Sequence, residues 1–495
     1  MATTRPPDDD PHHCAWREWA EVVETRLSEF EKKLARLDEV EKKLEALLGR
    51  VHQSEKLPRI ADEVRGEREI DPRKTREVRA ARAEMKARLI EEKIELRVPE
   101  RERHCPKCGK DKLRRAGEKT STVYEYIAGY FRRQVHVRET LACACGEYIV
   151  TAPCPEKSTD KTRYGPGFIA HLLTAKCADS IPLYRLEKQY ARAGVPIARS
   201  TMTDLFHRNA ELVEPLSSRL LALVAEQDIV QADETSLRRL DVKKRGYLWT
   251  FLAQVDSHDG GADPKPLIAY VFSPDRSGKT PSAVLGASSG TLLVDGYTGY
   301  NVVTTPERRE RAGCLAHARR KLFAAMEQHL EAREALDIIR DVYVVEHDAK
   351  SAGVARTSEH LAMRRARTKP LMDKLFAWLK EREGLHPPKS LIGRAIRYAL
   401  SNWTELTRFL EDARIPPDNN RSEAALRVAA LGRKNFLFVG HEQAGKNIAG
   451  VYALVVTCEA NGVNPLDYLR DVLVRISTPG VALDDLLPHR WTSAT

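Results

Sequence analysis

An apolar run that stops on an aspartate occurs twice in this chain. Asp228-Ile229-Val230-Gln231-Ala232-Asp233-Glu234-Thr235 reads as a buried strand delivering Asp233 to its end, and Gly290-Thr291-Leu292-Leu293-Val294-Asp295-Gly296-Tyr297 repeats the pattern with Asp295. A third acid, Glu423, falls on the first turns of a helix expected from Pro417-Asp418-Asn419-Asn420-Arg421-Ser422-Glu423-Ala424-Ala425-Leu426. Acids so far apart can converge only through folding. Carboxylate oxygens are preferred ligands of Mg²⁺ and Mn²⁺, and a pair of such ions serves in-line displacement at phosphate. The pattern points to metal-dependent phosphoryl transfer on DNA. Each acid singly has a plain structural reading, as a turn former or as a charge complementing a helix dipole. Their joint setting, with Asp418-Asn419-Asn420 and the basic Arg427, Arg433 and Lys434 beside the third, favours a site.

Around the first acid the chain alternates strands and turns. Strands are expected at Ile229–Ala232, Tyr247–Val255, Leu267–Phe272 and Thr291–Val294, with a short helix near Pro281–Leu285 and a fifth strand ending at Cys314. An antiparallel meander continued by a parallel addition is the order of a ribonuclease-H-like sheet. The expected fold class is multidomain α+β: a ribonuclease-H-like mixed-sheet core with an all-α insertion, an N-terminal coiled coil and a small zinc finger. The boundaries run as a disordered tail (1–15), coiled coil (16–53), charged helical linker (54–103), zinc-finger-like module (104–160) and helical, helix-turn-helix-like DNA-binding region (161–222). The first part of the core (223–330), the helical insertion (331–415), the end of the core (416–458) and a C-terminal helical tail (459–495) follow.

Composition narrows the class. The 495 residues carry a formal charge of +10, which suits a polyanionic partner, although many soluble proteins are mildly basic. No run approaches the ~18 apolar residues of a membrane span. The polar start of the chain lacks the apolar region of a secretory signal. Nine Cys without export imply reduced thiols in the cytosol, serving as metal ligands or core.

Val23, Leu27, Phe30, Leu34, Leu37, Leu44, Leu48 and Val51 keep an a/d spacing broken only by Glu41, as in a zipper that makes a homo-oligomer; one amphipathic helix on its own protein is the plainer alternative. Cys105-Pro106-Lys107-Cys108-Gly109 is half of a zinc knuckle. Its other half, Leu141-Ala142-Cys143-Ala144-Cys145-Gly146, is irregular. Structural Zn²⁺ is expected on Cys105, Cys108 and Cys145, with Cys143 preferred to Cys154 as fourth ligand; a finger that no longer holds metal is the alternative. The interval between the halves fits a small hairpin. Pro182–Tyr190 and a helix opened by Ser200 as N-cap, separated by Gly194-Val195-Pro196, have helix-turn-helix spacing, which a plain helical hairpin shares.

Two further motifs need weighing. Gly440-His441-Glu442-Gln443-Ala444-Gly445-Lys446-Asn447 follows an expected strand and nearly matches a P-loop, but Asn447 lacks the hydroxyl that would hold Mg²⁺. Lys446 reads instead as a phosphate contact. Cys314 and His317 form a Cys-x-x-His pair with no neighbouring Cys or His to complete a metal site. Cys314 is expected in the core, and His317 at the head of a helix beside a catalytic carboxylate or a DNA phosphate.

Together these motifs resemble the catalytic transposase of the bacterial insertion sequence 66 family. The resemblance runs from about Leu27 to Trp491 and takes in the zipper, the Cys-x-x-Cys finger, Pro182-Leu183-Tyr184-Arg185, Ala232-Asp233-Glu234-Thr235 and Val294-Asp295-Gly296-Tyr297. It continues through Ala316-His317-Ala318-Arg319-Arg320-Lys321, Asp418-Asn419-Asn420 with Glu423, Asn461-Gly462-Val463-Asn464-Pro465 and Leu486-Leu487-Pro488-His489-Arg490-Trp491. It implies a DDE triad of Asp233, Asp295 and Glu423 on the ribonuclease-H-like fold. The finger departs from the family pattern at Ala142, where a Cys is expected. With two ions, one between Asp233 and Asp295 and one between Asp233 and Glu423, such a site would nick double-stranded DNA at terminal inverted repeats and join the 3′-hydroxyls to target DNA. Arg185, Arg199, Arg319, Arg320, Lys321, Arg433, Lys434 and Lys446 are the candidate DNA contacts, and accessory proteins of the same element are implied partners. The competing reading is a sequence-specific DNA-binding regulator that keeps the fold without catalysis. A cytoplasmic, nucleoid-associated location follows from either.

Overall fold

The computed structural model describes residues 131, 140–142, 149–151, 162–255 and 264–492. The expected coiled coil and linker lie outside them, as do Cys105, Cys108, Cys143, Cys145 and Cys154. A short antiparallel pair, β1 (Thr140–Ala142) and β2 (Ile149–Thr151), brackets Cys143 and Cys145 in sequence, and the hairpin expected between the finger's halves lies outside the described residues.

Four helices lead into the sheet: α1 (Pro166–Cys177), α2 (Leu183–Arg192), α3 (Arg199–Leu212) and α4 (Glu214–Ala225). Pro182 and Ala198 cap α2 and α3 without side-chain bonds, so Ser200 lies inside α3 and is not its N-cap. The sheet is built from β3 (Ile229–Arg238), β4 (Arg245–Val255), β5 (Lys265–Ser273), β6 (Gly290–Val294) and β7 (Arg309–Gly313), in the order β5-β4-β3-β6-β7. The meander β3–β5 is antiparallel, and β6 and β7 add in parallel on the other side of β3. A short helix, α5 (Lys279–Leu285), provides the crossover. This mixed five-stranded sheet has the order expected of a ribonuclease-H-like core. At the head of β6, Gly290 has φ +112°, and a Cβ there would stand 2.2 Å from the Asp228 carbonyl oxygen. Only glycine lets β6 start so close to β3.

Strand alternation divides two cores between the faces of the sheet. Leu292 and Val294 belong to one core with Val230 and Ala232, while Leu293 between them belongs to the other. The first face is covered by α1, α4, α12 (Asn420–Phe436), α13 (Glu442–Ala460) and α14 (Pro465–Arg475). Helix α13 is apolar almost all round and correspondingly buried. It docks on β5 through Thr457, whose hydroxyl accepts from the Ile268 amide (3.1 Å) and donates to its carbonyl (2.9 Å).

The second face carries α6 (Leu315–Met326) and the helices between the second and third acids: α7 (Ala332–Ser351), α8 (Ser358–Met363), α9 (Lys369–Arg382), α10 (Leu391–Ser401) and α11 (Trp403–Thr407). Arg364, 1% exposed on a π-turn after α8, holds both oxygens of Glu346 at 2.7 Å and donates to the carbonyls of Phe409, Asp412 and Ile415 at 2.6–3.0 Å. It thereby anchors the chain that leads back to the third acid.

Asn435–Gly440 is not the strand expected ahead of the P-loop-like segment. Asn435 and Phe436 finish α12, Leu437 turns at φ 63°, and Val439 makes a single bridge to Arg239. Among the described residues no helix is long and apolar enough to cross a membrane.

Candidate active site

β3 runs on to Arg238, so Asp233 lies within the strand rather than at its end. Towards β4 it pairs opposite Thr250, but towards β6 the ladder stops at Gln231 and Leu293. Carried on by the same offset, the parallel register sets Asp233 level with Asp295, which follows the last residue of β6. Neighbouring parallel strands are about 4.8 Å apart and residues at matched positions share a face. Both acids are therefore on the face that bears Leu293 and the α6 side of the molecule. Asp295 is held by the Tyr297 amide, which donates to its Oδ1 at 2.9 Å.

Glu423 arrives from the side that β6 leaves free. Asn419, 1% exposed just before α12, donates from Nδ2 to the Ala232 carbonyl (2.8 Å), and its amide donates to Cys314 Sγ (3.2 Å). The Leu315 amide donates to Pro417 O at 2.9 Å, and the Glu423 amide to Asn419 O at 3.2 Å. The start of α12 is thus bonded to β3 and to the start of α6.

Burial pushes the Asp233 carboxyl up to about 7; the Glu234 amide, donating to its Oδ1 at 2.8 Å, opposes this, while the charges of Glu234, Asp295 and Glu423 add to it. Asp295 and Glu423 thus raise the cost of ionising Asp233, and carboxylates are the donor type that Mg²⁺ or Mn²⁺ takes, so the residues fit such an ion in their chemistry, although the oxygens of the three acids are not gathered within 4.8 Å of one another. Glu423 has a cation already: Arg320 Nη2 donates to both its oxygens at 3.0 and 3.1 Å. His317, in the first turn of α6, has Nε2 at 3.8 Å from Glu423 Oε1, beyond hydrogen-bonding range. Burial and then Arg320 lower its pKa, against Glu423 and Asp295, which favours the neutral ring. Cys314 caps α6 one residue past β7 rather than ending the strand; it is fully buried and its thiol is pushed up to about 12 by burial.

Two acids next to the candidate triad in sequence, Glu234 and Asp418, are occupied elsewhere. Glu234 points to the opposite face, where its side chain is 2% exposed and takes Arg276 Nε (2.7 Å) and Tyr300 Oη (2.6 Å). Asp418 accepts from the Asn420 amide at 3.1 Å, and burial raises its pKa.

The candidate DNA contacts divide. Arg433 turns inward, bonding Thr235 Oγ1, Ser236 O and Ser236 Oγ at 2.8–3.2 Å, and ties α12 to β3. Arg320 is engaged by Glu423, Lys321 lies over the Tyr398 ring (4.8 Å) and Arg319 over Phe323 (6.0 Å). Arg185 donates to Tyr184 Oη at 3.0 Å, Arg199 pairs with Glu187 at 3.1 Å and Lys446 with Glu442 at 3.1 Å, whereas Lys434 is exposed. Asn447 is buried against His207 and Glu211 at 3.1 and 3.2 Å, which leaves the P-loop-like segment no phosphate cradle. Sequence reasoning missed the anchoring roles of Asn419, Arg320 and Arg433. Their partners are main-chain groups or side chains far away in sequence, which no local spacing reports.

Residues 161–447, which include all three acids, match the model of the transposase IS66 family. The chain belongs to that family. Residues 453–489 match the IS66 C-terminal element, and residues 102–146 the zinc-finger binding domain of transposase IS66. Among curated relatives, uncharacterized protein y4jD of Sinorhizobium fredii (strain NBRC 101917 / NGR234) is 33% identical over 398 residues, covering 78% of this chain and 77% of its own. Uncharacterized protein y4qI of the same strain is 32% identical over 421 residues (81% and 75%), and y4hP is 28% identical over 493 (95% and 87%). The protein is therefore a transposase of the DDE type with a zinc-finger domain.

Proposed function

We propose that Asp233, Asp295 and Glu423 are the catalytic triad with which this IS66 family transposase nicks the ends of its element and joins the freed 3′-hydroxyls to target DNA. The observation that carries this reading is the β3–β6 register, whose continuation by two residues sets Asp233 level with Asp295, with the Glu423 helix bonded to β3 through Asn419 and Ala232. Mg²⁺ or Mn²⁺ held by the three carboxylates supplies Lewis acidity at the phosphate and lowers the pKa of the attacking hydroxyl. Asp233, central and partly buried, would hold such an ion together with Asp295 or Glu423. Asp295 is preset by the Tyr297 amide. Glu423 turns from Arg320 towards the other acids, and that movement frees Arg320 for a DNA phosphate. The neutral His317, with Nε2 3.4 Å from Arg320 Nη1, bears on Glu423 through that arginine. Water and then a 3′-hydroxyl use the same site, so hydrolysis and transesterification need no covalent protein intermediate.

The match over residues 102–146 supports structural Zn²⁺ on Cys105, Cys108, Cys143 and Cys145. The finger and the α2–α3 pair read terminal inverted repeats, the N-terminal heptads assemble a homo-oligomer, and accessory proteins of the element take part. The reaction takes place on the bacterial chromosome, in the cytoplasm.

The test is incubation with element-end duplex and Mn²⁺, with strand products mapped. Asp233→Asn, Asp295→Asn and Glu423→Gln each abolish cleavage while DNA binding persists. Wild-type cleavage by any one of them removes that residue from the triad.

A further inference from the structure

Away from the acids, the helical insertion brings two imidazoles and a carboxylate together. His329 lies in the turn between α6 and α7, Glu331 caps the start of α7, and His386 lies in the turn after α9. Their donor atoms all lie within 4.8 Å of one another. Glu331 Oε1 stands 3.0 Å from His386 Nε2 and 3.9 Å from His329 Nδ1, and the two rings meet edge to face at 5.1 Å.

An ordinary hydrogen bond leaves this arrangement unexplained. His386 Nε2 is buried and has no properly directed partner, despite its closeness to Glu331. One carboxylate oxygen is approached by two ring nitrogens, while the other, Oε2, faces Arg382 Nε at 3.4 Å. Arg382 in turn stacks on Trp378 (4.5 Å), whose indole donates to Glu334 at 2.9 Å. Arg382 thus backs Glu331 with its charge rather than with a directed hydrogen bond. Tetrahedral donors about 2.1 Å from zinc stand about 3.4 Å apart. The present spacings reach that with side-chain adjustments of about an ångström.

We propose that His329, Glu331 and His386 form a second transition-metal site, of the Zn²⁺ class, which clips the α6–α7 turn to the turn after α9. Two imidazole nitrogens with one carboxylate oxygen suit Zn²⁺ and its neighbours in the first transition row, and not the Mg²⁺ or Mn²⁺ of the acid triad. With three protein ligands, water completes the coordination sphere.

The test uses the full-length chain in excess Mg²⁺, so that the carboxylate triad is filled. Zinc is measured by mass spectrometry after loading and desalting, in wild type and in a Cys105→Ser, Cys108→Ser background that removes the finger's thiolates. About one equivalent persists in that background, and His329→Ala with His386→Ala lowers it at least fivefold. Should the Cys variant not fold by circular dichroism, the same His substitutions in wild type remove about one equivalent. Glu331→Gln, close to isosteric, weakens zinc at least tenfold in competition with a chromophoric chelator. With Co²⁺ in place of zinc, the site gives weak visible bands free of thiolate charge transfer, and these disappear with the two His. Zinc content that is the same with and without His329 and His386, or no zinc in a folded finger-deficient chain, overturns the proposal.

Discussion

Asn419 Nδ2 donates to the Ala232 carbonyl at 2.8 Å, bridging 187 residues of chain to fix the helix of the third acid against the strand of the first. It takes a carbonyl just beyond the last β3–β6 pair, so the sheet's own shortfall creates the attachment point. Asn419→Ala leaves that carbonyl without its partner, which costs about 1–3 kcal/mol. More tellingly, it releases Glu423 from its place. The expected outcome is a folded protein that binds end DNA normally and cleaves at least tenfold more slowly; cleavage at the wild-type rate would show that Asn419 is not a positioning residue.

The raised carboxyl of Asp233 sets a pH dependence. Its value is about 7 in the folded chain, against about 3.9 unfolded. Below both values each state is protonated and the group contributes nothing. As pH rises from about 4 to 7 the unfolded chain loses the proton first, so stability falls, by roughly 3–5 kcal/mol in full above the folded value. In chelator, Asp233→Asn therefore melts higher than wild type at about pH 8 and nearly together with it at about pH 4. Mg²⁺ narrows the gap at high pH by stabilising wild type. Parallel melting curves across this range would contradict the assigned burial.

Arg320 competes with metal for Glu423. At 60% exposure the pair adds little to stability, about 0–1 kcal/mol. Its effect belongs to the metal dependence of cleavage. Arg320→Gln lowers the Mn²⁺ concentration for half-maximal cleavage several-fold and weakens DNA binding in low salt. A Mn²⁺ requirement that does not move, measured by titration at saturating DNA, refutes the competition.

Arg364 is the structural counterpart of Arg320, buried where the other is exposed. Arg364→Ala leaves Glu346 facing only His360 and strands three carbonyls, and removing one partner of a buried pair costs about 3–5 kcal/mol. Because Ile415 leads directly to Pro417 and Asn419, cleavage falls with stability. Arg364→Lys recovers only part of either, since an ammonium cannot replace the bidentate fork. A melting temperature within about a degree of wild type for Arg364→Ala would remove this anchor from the account.

The sheet was legible because its strands are apolar runs with turn residues between them, and the strand order follows from three hairpin-spaced runs and a crossover. The three candidate acids stood out because Asp233 and Asp295 follow apolar runs and Glu423 opens a helix, although β3 continues past Asp233 to Arg238. Asn435–Gly440 misled because its apolar residues are exposed at a turn: Leu437 and Phe438 are 63% and 40% accessible. Ser200 misled because α3 already begins at Arg199 with the extended Ala198 as its N-cap, so the serine's capping preference went unused. Arg433 and Arg320 were read as DNA-facing from charge alone. Whether a guanidinium meets a phosphate or an internal acceptor is decided by contacts from distant segments, and these have no local signature.

The helices on the second face stand, in chain order, between Asp295 and Glu423. A ribosome that has finished both strand acids still has the whole insertion to make before the third acid and Asn419 exist. The chain that anchors them runs through carbonyls held by Arg364, so the insertion has to be folded as well as synthesised. An interrupted or frameshifted product thus carries the sheet without the third candidate acid. For a transposase built on this plan, the candidate site is among the last parts of the core to be completed.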